Sequence, residues 1–361
     1  MDVSNTRRIV ILGKTGSGKS SLANTIFGEG LFTIGHTLKS ETRKCESKTK
    51  SVNGRSITLI DTPGFFDTEI SEEKMKPEIV RCITECAPGP HAFLIVLKVE
   101  KFTEHEEAVI TKINEYFSEE VYKYAILVFT HGDQLPEGKT IKDLVCQNQL
   151  VSDLVEKCGG RCHIVDNKYW KNNRQDEYRS NQFQVKELLN TIEKMIESNK
   201  GSCYTNEMLQ TVEEVIQQEV EAIRRSSGNM SEEEIREQAR FSTFKKFCIR
   251  LAGTATGVVL GALLGVVVSV GIVVIILRAV GITVAAAVAA VGETAAVAGV
   301  GVSAAVGAVM GGVTGYAEAE GADTPWEAAK RAAEAVKDQA LSVYEACDIF
   351  DRVKKEKSKQ S

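Results

Sequence analysis

The chain has 361 residues, of which 26% are charged and 43% hydrophobic, and it carries a formal net charge of −5. That length accommodates two to three domains at roughly 100–200 residues each, and the composition excludes a disordered tail. The acidic balance also argues against a nucleic-acid binder, since nothing in bulk offsets phosphate repulsion.

Met1–Arg8 lacks the apolar run of a secretory leader, and nine scattered cysteines read as reduced thiols, so a cytosolic setting is expected. Residues 7–200 alternate short apolar runs with amphipathic stretches. Ile9–Leu12, Ile57–Ile60, Ala92–Leu97 and Ala125–Phe129 have strand length, while Glu106–Phe117 and Ile141–Cys158 show helical spacing. Strands alternating with helices predict a mostly parallel sheet covered on both faces. Residues 201–245 predict a helical extension, with a turn at Ser226–Asn229 and a capping box opening at Ser231.

The first strand runs directly into Gly13-Lys14-Thr15-Gly16-Ser17-Gly18-Lys19-Ser20, followed by Ser21 and a plausible helix. This is a phosphate loop: glycines let successive N–H groups turn toward phosphate oxygens, and the helix N-terminus adds positive charge. Lys19 would reach the β- and γ-phosphates, and the Ser20 hydroxyl would ligate Mg²⁺. The second strand ends in Asp61-Thr62-Pro63-Gly64, which places a carboxylate behind the metal and a Gly64 N–H where it can sense a γ-phosphate. Thr130-His131-Gly132-Asp133 follows the fourth apolar run. There the Asp133 carboxylate can accept two guanine N–H groups, a contact adenine does not supply. His131 would lie along the base plane. A zinc site at Cys158–His163 is discounted because no second ligand pair follows at metal spacing. Cys82 and Cys86 share one helix face, and the basic Lys39–Lys50 stretch reads as a mobile switch surface.

Three segments, Arg8–Gly16, Asp61–Thr68 and Phe102–Glu107, with Tyr204–Met208 besides, closely resemble the immunity-associated (GIMAP, avrRpt2-induced-gene-like) GTPases, relatives of the septin and chloroplast-import GTPases. The resemblance spans about residues 7–225. It implies an α/β, Ras-like P-loop GTPase domain with helical additions, binding of GTP or GDP with Mg²⁺, and self-association through the G domains. It also implies that Thr42 is the first-switch threonine reaching Mg²⁺, chosen over Thr33, Thr37 and Ser40, and that Asn167 lies in the last base-contact segment. Trp170 would pack near the base or cover a helix. Ras-like enzymes place a water-orienting glutamine just after Gly64, where this chain has Phe65 and Phe66. The family's box arginine is here Lys101, which keeps the charge but loses the planar fork. Hydrolysis resting on Lys19, Thr42, Gly64 and Lys101 is therefore expected to be slow.

Residues 246–316 are apolar and glycine-rich. Leu251–Leu277 and Thr294–Tyr316 are charge-free runs of 27 and 23 residues. Gly253, Gly257, Gly261 and Gly265 recur every fourth residue, and Gly299, Ser303, Gly307, Gly311 and Gly315 repeat the ridge. Small-residue ridges let membrane helices approach closely, and the first run would span about 40 Å as a helix. A membrane hairpin in contact with lipid is expected, anchoring a cytoplasmic G domain to an intracellular membrane; the alternatives are a glycine-rich helical hairpin buried against the G domain and an amphipathic, conditionally inserting or oligomer-forming segment. Residues 317–361 predict an amphipathic helix and a charged tail. The expected protein is a GTP-binding switch assembling at a membrane. A non-hydrolysing GTP-bound scaffold and a pore-forming effector gated by the G domain are the alternatives.

Overall fold

The computed structural model describes residues 6–34, 44–65, 72–100, 104–170, 178–226 and 230–250. The proposed hairpin and tail lie outside them, as do Thr42 and Lys101. Among the described residues no helix is long and apolar enough to cross a membrane.

Six strands form one sheet: β1 (Arg7–Leu12), β2 (Glu46–Val52), β3 (Arg55–Asp61), β4 (Ala92–Lys98), β5 (Ala125–Thr130) and β6 (Cys162–Ile164), in the order β2-β3-β1-β4-β5-β6. All neighbours are parallel except β2 and β3, which pair antiparallel with Thr49 opposite Thr58. The apolar runs became the central strands because both faces of a parallel sheet are covered. β2 has no such signature. Its sequence, ESKTKSV, is polar except for Val52 and mostly exposed, as an edge strand permits. The stretch read as a mobile basic surface is therefore in part an ordered strand.

The helices follow in order: α1 (Lys19–Phe27), α2 (Glu72–Cys86), α3 (Glu104–Tyr116), α4 (Glu119–Tyr122), α5 (Ile141–Val145), α6 (Gln149–Lys157), α7 (Asn181–Ser198), α8 (Glu207–Ser226) and α9 (Glu232–Arg250). The stretch 141–158 is two helices rather than one. The first closes at Cys146, and Asn148 caps the second, its side chain accepting from the Val151 N–H. One core lies between the sheet and two helices, where Ile9, Ile11, Leu59, Leu94 and Val128 meet Leu22 and Ile26 of α1 and Leu188 and Ile192 of α7. Residues shifted by one in the strands face the opposite side. There Phe93 meets the rings of Phe117 and Tyr204, with centroids 6.1 and 5.5 Å apart.

Residues up to Met230 form one compact unit, and α8 packs on α2 within it, burying Leu209, Val212 and Ile216. The helix α9 belongs to a second unit. Ser231 and Glu234 close its capping box, with the Ser231 N–H and hydroxyl each 2.8 Å from the Glu234 carboxylate.

Cys82 and Cys86 prove to be core residues. Their sulfurs lie 3.7 Å apart, and Cys45 is buried beside them at the start of β2. Hydrogen bonds to Cys45 and Cys86, and then burial, push the Cys82 thiol well above its ordinary value, so it stays a neutral packing group.

His91 clasps the start of β1. Its ring Nδ1 accepts the Arg8 backbone N–H at 3.0 Å, and the His91 backbone N–H donates to the Arg8 carbonyl at 2.7 Å. Burial, with the charges of Arg8 and Arg7, lowers its pKa to about 3. The unfolded chain therefore binds a proton near the ordinary His pKa that the folded chain refuses. This contribution is complete above pH 6.5 and is lost as pH falls toward 3. Between pH 7 and pH 5 the loss is about 2 kcal/mol. His91→Gln retains an acceptor without titrating, so its denaturation midpoint should fall less over that range than wild type's. Equal slopes in the two proteins would refute the assignment.

Candidate nucleotide site

The phosphate loop joins β1 to α1 at the carboxyl edge of the sheet. Gly13 is required by close approach: with φ 152°, a Cβ there would lie 2.6 Å from the Val96 carbonyl oxygen of β4. Lys19 is 5% exposed, and its Nζ donates to the carbonyls of Gly13 and Lys14 at 3.0 and 2.8 Å. The loop thereby holds a cation at its own centre. Around it Thr15 and Ser21 are half-buried, Gly16 is exposed, and Gly18 sets the left-handed turn from which α1 starts.

Ser20 Oγ donates to Asp61 Oδ2 at 2.5 Å, across the 41 residues that separate the two motifs. Asp61 closes β3 and is 2% exposed. Burial pushes its pKa up to about 6, against the Ser20 hydrogen bond and the Lys19 charge. Among the described residues its buried Oδ1 has no hydrogen-bond partner, and neither has the buried Ser17 Oγ of the phosphate loop. A buried carboxylate oxygen left unsatisfied beside a hydroxyl suits a hard cation with oxygen ligands, and Mg²⁺ characteristically takes only one or two protein groups. In the turn after Asp61, the Thr62 hydroxyl donates to the Ile11 carbonyl at 2.7 Å and Gly64 is buried. These contacts lock the turn to β1.

The segment expected to read the base is stitched from three directions. Thr130 is fully buried and its Oγ1 donates to the Ser17 carbonyl at 2.8 Å, tying the end of β5 to the phosphate loop. His131, in the left-handed region with φ 60°, turns outward with its ring on Thr130 Oγ1 at 3.0 Å. Asp133 is exposed in a short 3-10 turn, Gly132–Gln134, and its N–H donates to Asp166 Oδ2 at 3.1 Å. Asn167 lies beside the loop, accepting from Thr25 Oγ1 at 2.8 Å through its Oδ1. Its Nδ2 would stand 3.1 Å from a Cβ at Gly18. Phosphate loop, Asp61 turn, Asp133 turn and Asn167 are thus gathered on one edge.

Two residues that position the base segment were not singled out in the sequence. Asp166 is 2% exposed, and its carboxylate accepts the N–H groups of Asp133, Lys168 and Tyr169. Burial works against its charge, but these hydrogen bonds outweigh it and hold the carboxyl below its ordinary value. Asn181, at the start of α7, brackets the Asp166 backbone from both sides. Only a loop aspartate followed by polar residues hinted at this Asx-type turn.

Trp170 covers the base loop rather than a helix alone. A Cβ on Gly132 would fall 2.6 Å from its Cη2. Gly132→Ala must displace either the indole or the Asp133 turn. Guanine-nucleotide affinity should fall about tenfold, a cost of about 1.4 kcal/mol within the usual overpacking range. Fluorescent-nucleotide titration would check this, and unaltered affinity would show that the turn tolerates the shift.

The sheet order, the single antiparallel edge strand and these loops at the carboxyl ends define a Ras-like P-loop GTPase domain. The chain belongs to the AIG1 family, whose sequence profile matches residues 7–223. It is 32% identical over 246 residues to immune-associated nucleotide-binding protein 5 of Arabidopsis thaliana, covering 65% of this chain and 78% of that one. It is 31% identical over 199 residues to GTPase IMAP family member 8 of Homo sapiens, covering 55% of this chain and 29% of that one. Among solved structures, Toc33 from Arabidopsis thaliana matches with TM-score 0.44 and 19% identity, covering 56% of this chain and 88% of that one.

Proposed function

We propose that this protein is a guanine-nucleotide switch that binds GTP or GDP with Mg²⁺ and hydrolyses GTP slowly. The observation that carries the reading is the Ser20–Asp61 pair with its orphaned Oδ1, set between a lysine-centred phosphate loop and a tethered Asp133 turn. Lys19 and the loop N–H groups bind the phosphates, and Asp133 selects the base. Ser20, backed by Asp61 and joined by Thr42, would hold Mg²⁺, which neutralises charge on the β- and γ-phosphates. Slow turnover is supported by Phe65, buried at the position after Gly64 where a water-orienting side chain would stand. The relatives' names, one a nucleotide-binding protein and one a GTPase, agree with this reading.

The reading extends to assembly at a membrane. Self-association through the G domains is supported by the sequence resemblance, with Lys101 as the cation offered across the contact. Lipid contact is supported by the charge-free runs 251–277 and 294–316 with their small-residue ridges. Competition titration of the full chain with GTP, GDP and ATP tests the site, and ATP binding as tightly as GTP would overturn the guanine assignment. Flotation of the full chain with liposomes, loaded with GDP or a GTP analogue, tests the rest. A chain that stays unbound with both nucleotides would remove the membrane reading.

A further inference from the structure

The phosphate loop holds a second lysine whose position neither phosphate binding by Lys19 nor base selection explains. Lys14 Nζ lies 3.4 Å from Glu100 Oε1, and the two side chains are 15% and 40% exposed. The pair bridges two functional segments. Lys14 follows Gly13 in the phosphate loop, and its backbone carbonyl is one of the two that hold Lys19. Glu100 follows Val99, whose N–H donates to the Thr130 carbonyl at 3.0 Å, so this segment is anchored at the site edge of the sheet. Lys101 comes next in the chain.

We propose that Lys14 is a specificity-determining residue for the γ-phosphate, and that Glu100 is its counter-charge when that phosphate is absent. The inference rests on the reading of this site as a guanine-nucleotide site. An ammonium drawn largely out of water needs a neighbouring negative charge. A carboxylate at 3.4 Å is a loose partner, well beyond the 2.7–2.9 Å of a strong charge-assisted bond. Glu100 is the more exposed of the two and regains hydration cheaply on release. The terminal phosphate of GTP brings a greater negative charge to the loop that carries Lys14, and the flexible lysine stem can follow it. GDP brings no such group, so Lys14 stays on Glu100. Exchange of partners therefore favours GTP over GDP and frees the Glu100 side chain only in the GTP state. A ligand shifts such an equilibrium only by its differential affinity for the two arrangements, so the effect must appear in the ratio of GTP to GDP affinity.

The test is equilibrium titration of the full chain with fluorescent GTP analogue and GDP, for wild type, Glu100→Gln, Lys14→Met and the double variant. Glu100→Gln removes the competitor and should raise the GTP:GDP affinity ratio about two- to fivefold, the scale of a partly exposed ion pair. Lys14→Met should lower that ratio, and adding Glu100→Gln to it should change nothing further. A structural ion pair would instead move the melting temperature and both affinities together. A ratio unmoved by Glu100→Gln, or moved equally in the Lys14→Met background, overturns the inference while leaving the site assignment standing. A wild-type chain that binds neither nucleotide overturns both.

Discussion

Lys19→Ala is expected to weaken Mg·GTP binding by at least about 100-fold, because it removes a desolvated cation that faces a multiply charged phosphate. The environment sets the size of the effect. Lys19 is 5% exposed and its Nζ is held by two loop carbonyls, so its charge is placed before the nucleotide arrives and little ordering remains to be done. Interactions of a buried charge with one opposite partner run at about 2–5 kcal/mol, and each 1.4 kcal/mol is tenfold. Ser20→Asn should produce a similar loss by another route. It removes the hydroxyl that would ligate the metal and breaks the 2.5 Å bond to Asp61, leaving that buried carboxylate without its donor. Isothermal titration with Mg·GTP checks both variants, with thermal melts confirming that each folds. Wild-type affinity in a folded Lys19→Ala protein would dismantle the phosphate assignment.

The second large effect concerns the base. Asp133→Asn should lower GTP affinity by about two orders of magnitude and raise affinity for xanthosine triphosphate. Losing a charged partner of a hydrogen-bonded pair costs about 2–5 kcal/mol, a range that spans two orders of magnitude in affinity. On the proposed reading the carboxylate would accept two N–H groups from guanine, whereas the amide would present a donor where xanthine carries a carbonyl. The backbone at this position stays in place, because its N–H is fixed by Asp166 and not by its own side chain. Gln134 Nε2, which donates to Asp133 Oδ2 at 2.8 Å, can serve the amide oxygen as well. Competition among GTP, xanthosine triphosphate and ATP would read the change. A variant that keeps its preference for guanine would show that another residue reads the base.

Legibility in the sequence divided along physical lines. The phosphate loop, the Asp61 turn and the Asp133 turn could be read because each is a contiguous string whose backbone and side chains act together. The apolar strands were equally plain, since burial on both faces leaves few polar residues in them. The break at Cys146–Asn148 went unseen, because the apolar spacing continues across it and only a side-chain cap interrupts the helix. β2 went unseen for the opposite reason. An edge strand that half-buries a single apolar residue, Val52, shows no apolar alternation, so its register comes from β3 and not from its own pattern.

By itself, then, the amino-acid sequence determined the α/β fold class and the family and marked the strings proposed to meet phosphate and base, because those depend on local strings and on hydrophobic period. Tertiary structure alone decided what steadies them. Asp166 and Asn181 hold the Asp133 turn, Trp170 presses on Gly132, Thr130 ties β5 to the phosphate loop, and Lys14 meets Glu100. Most of these contacts join residues tens of positions apart, where no spacing rule applies. They exist because the sheet order brings the carboxyl ends of β1, β3, β4 and β5 to one edge, where buried polar groups must find partners or lose the free energy of their hydration.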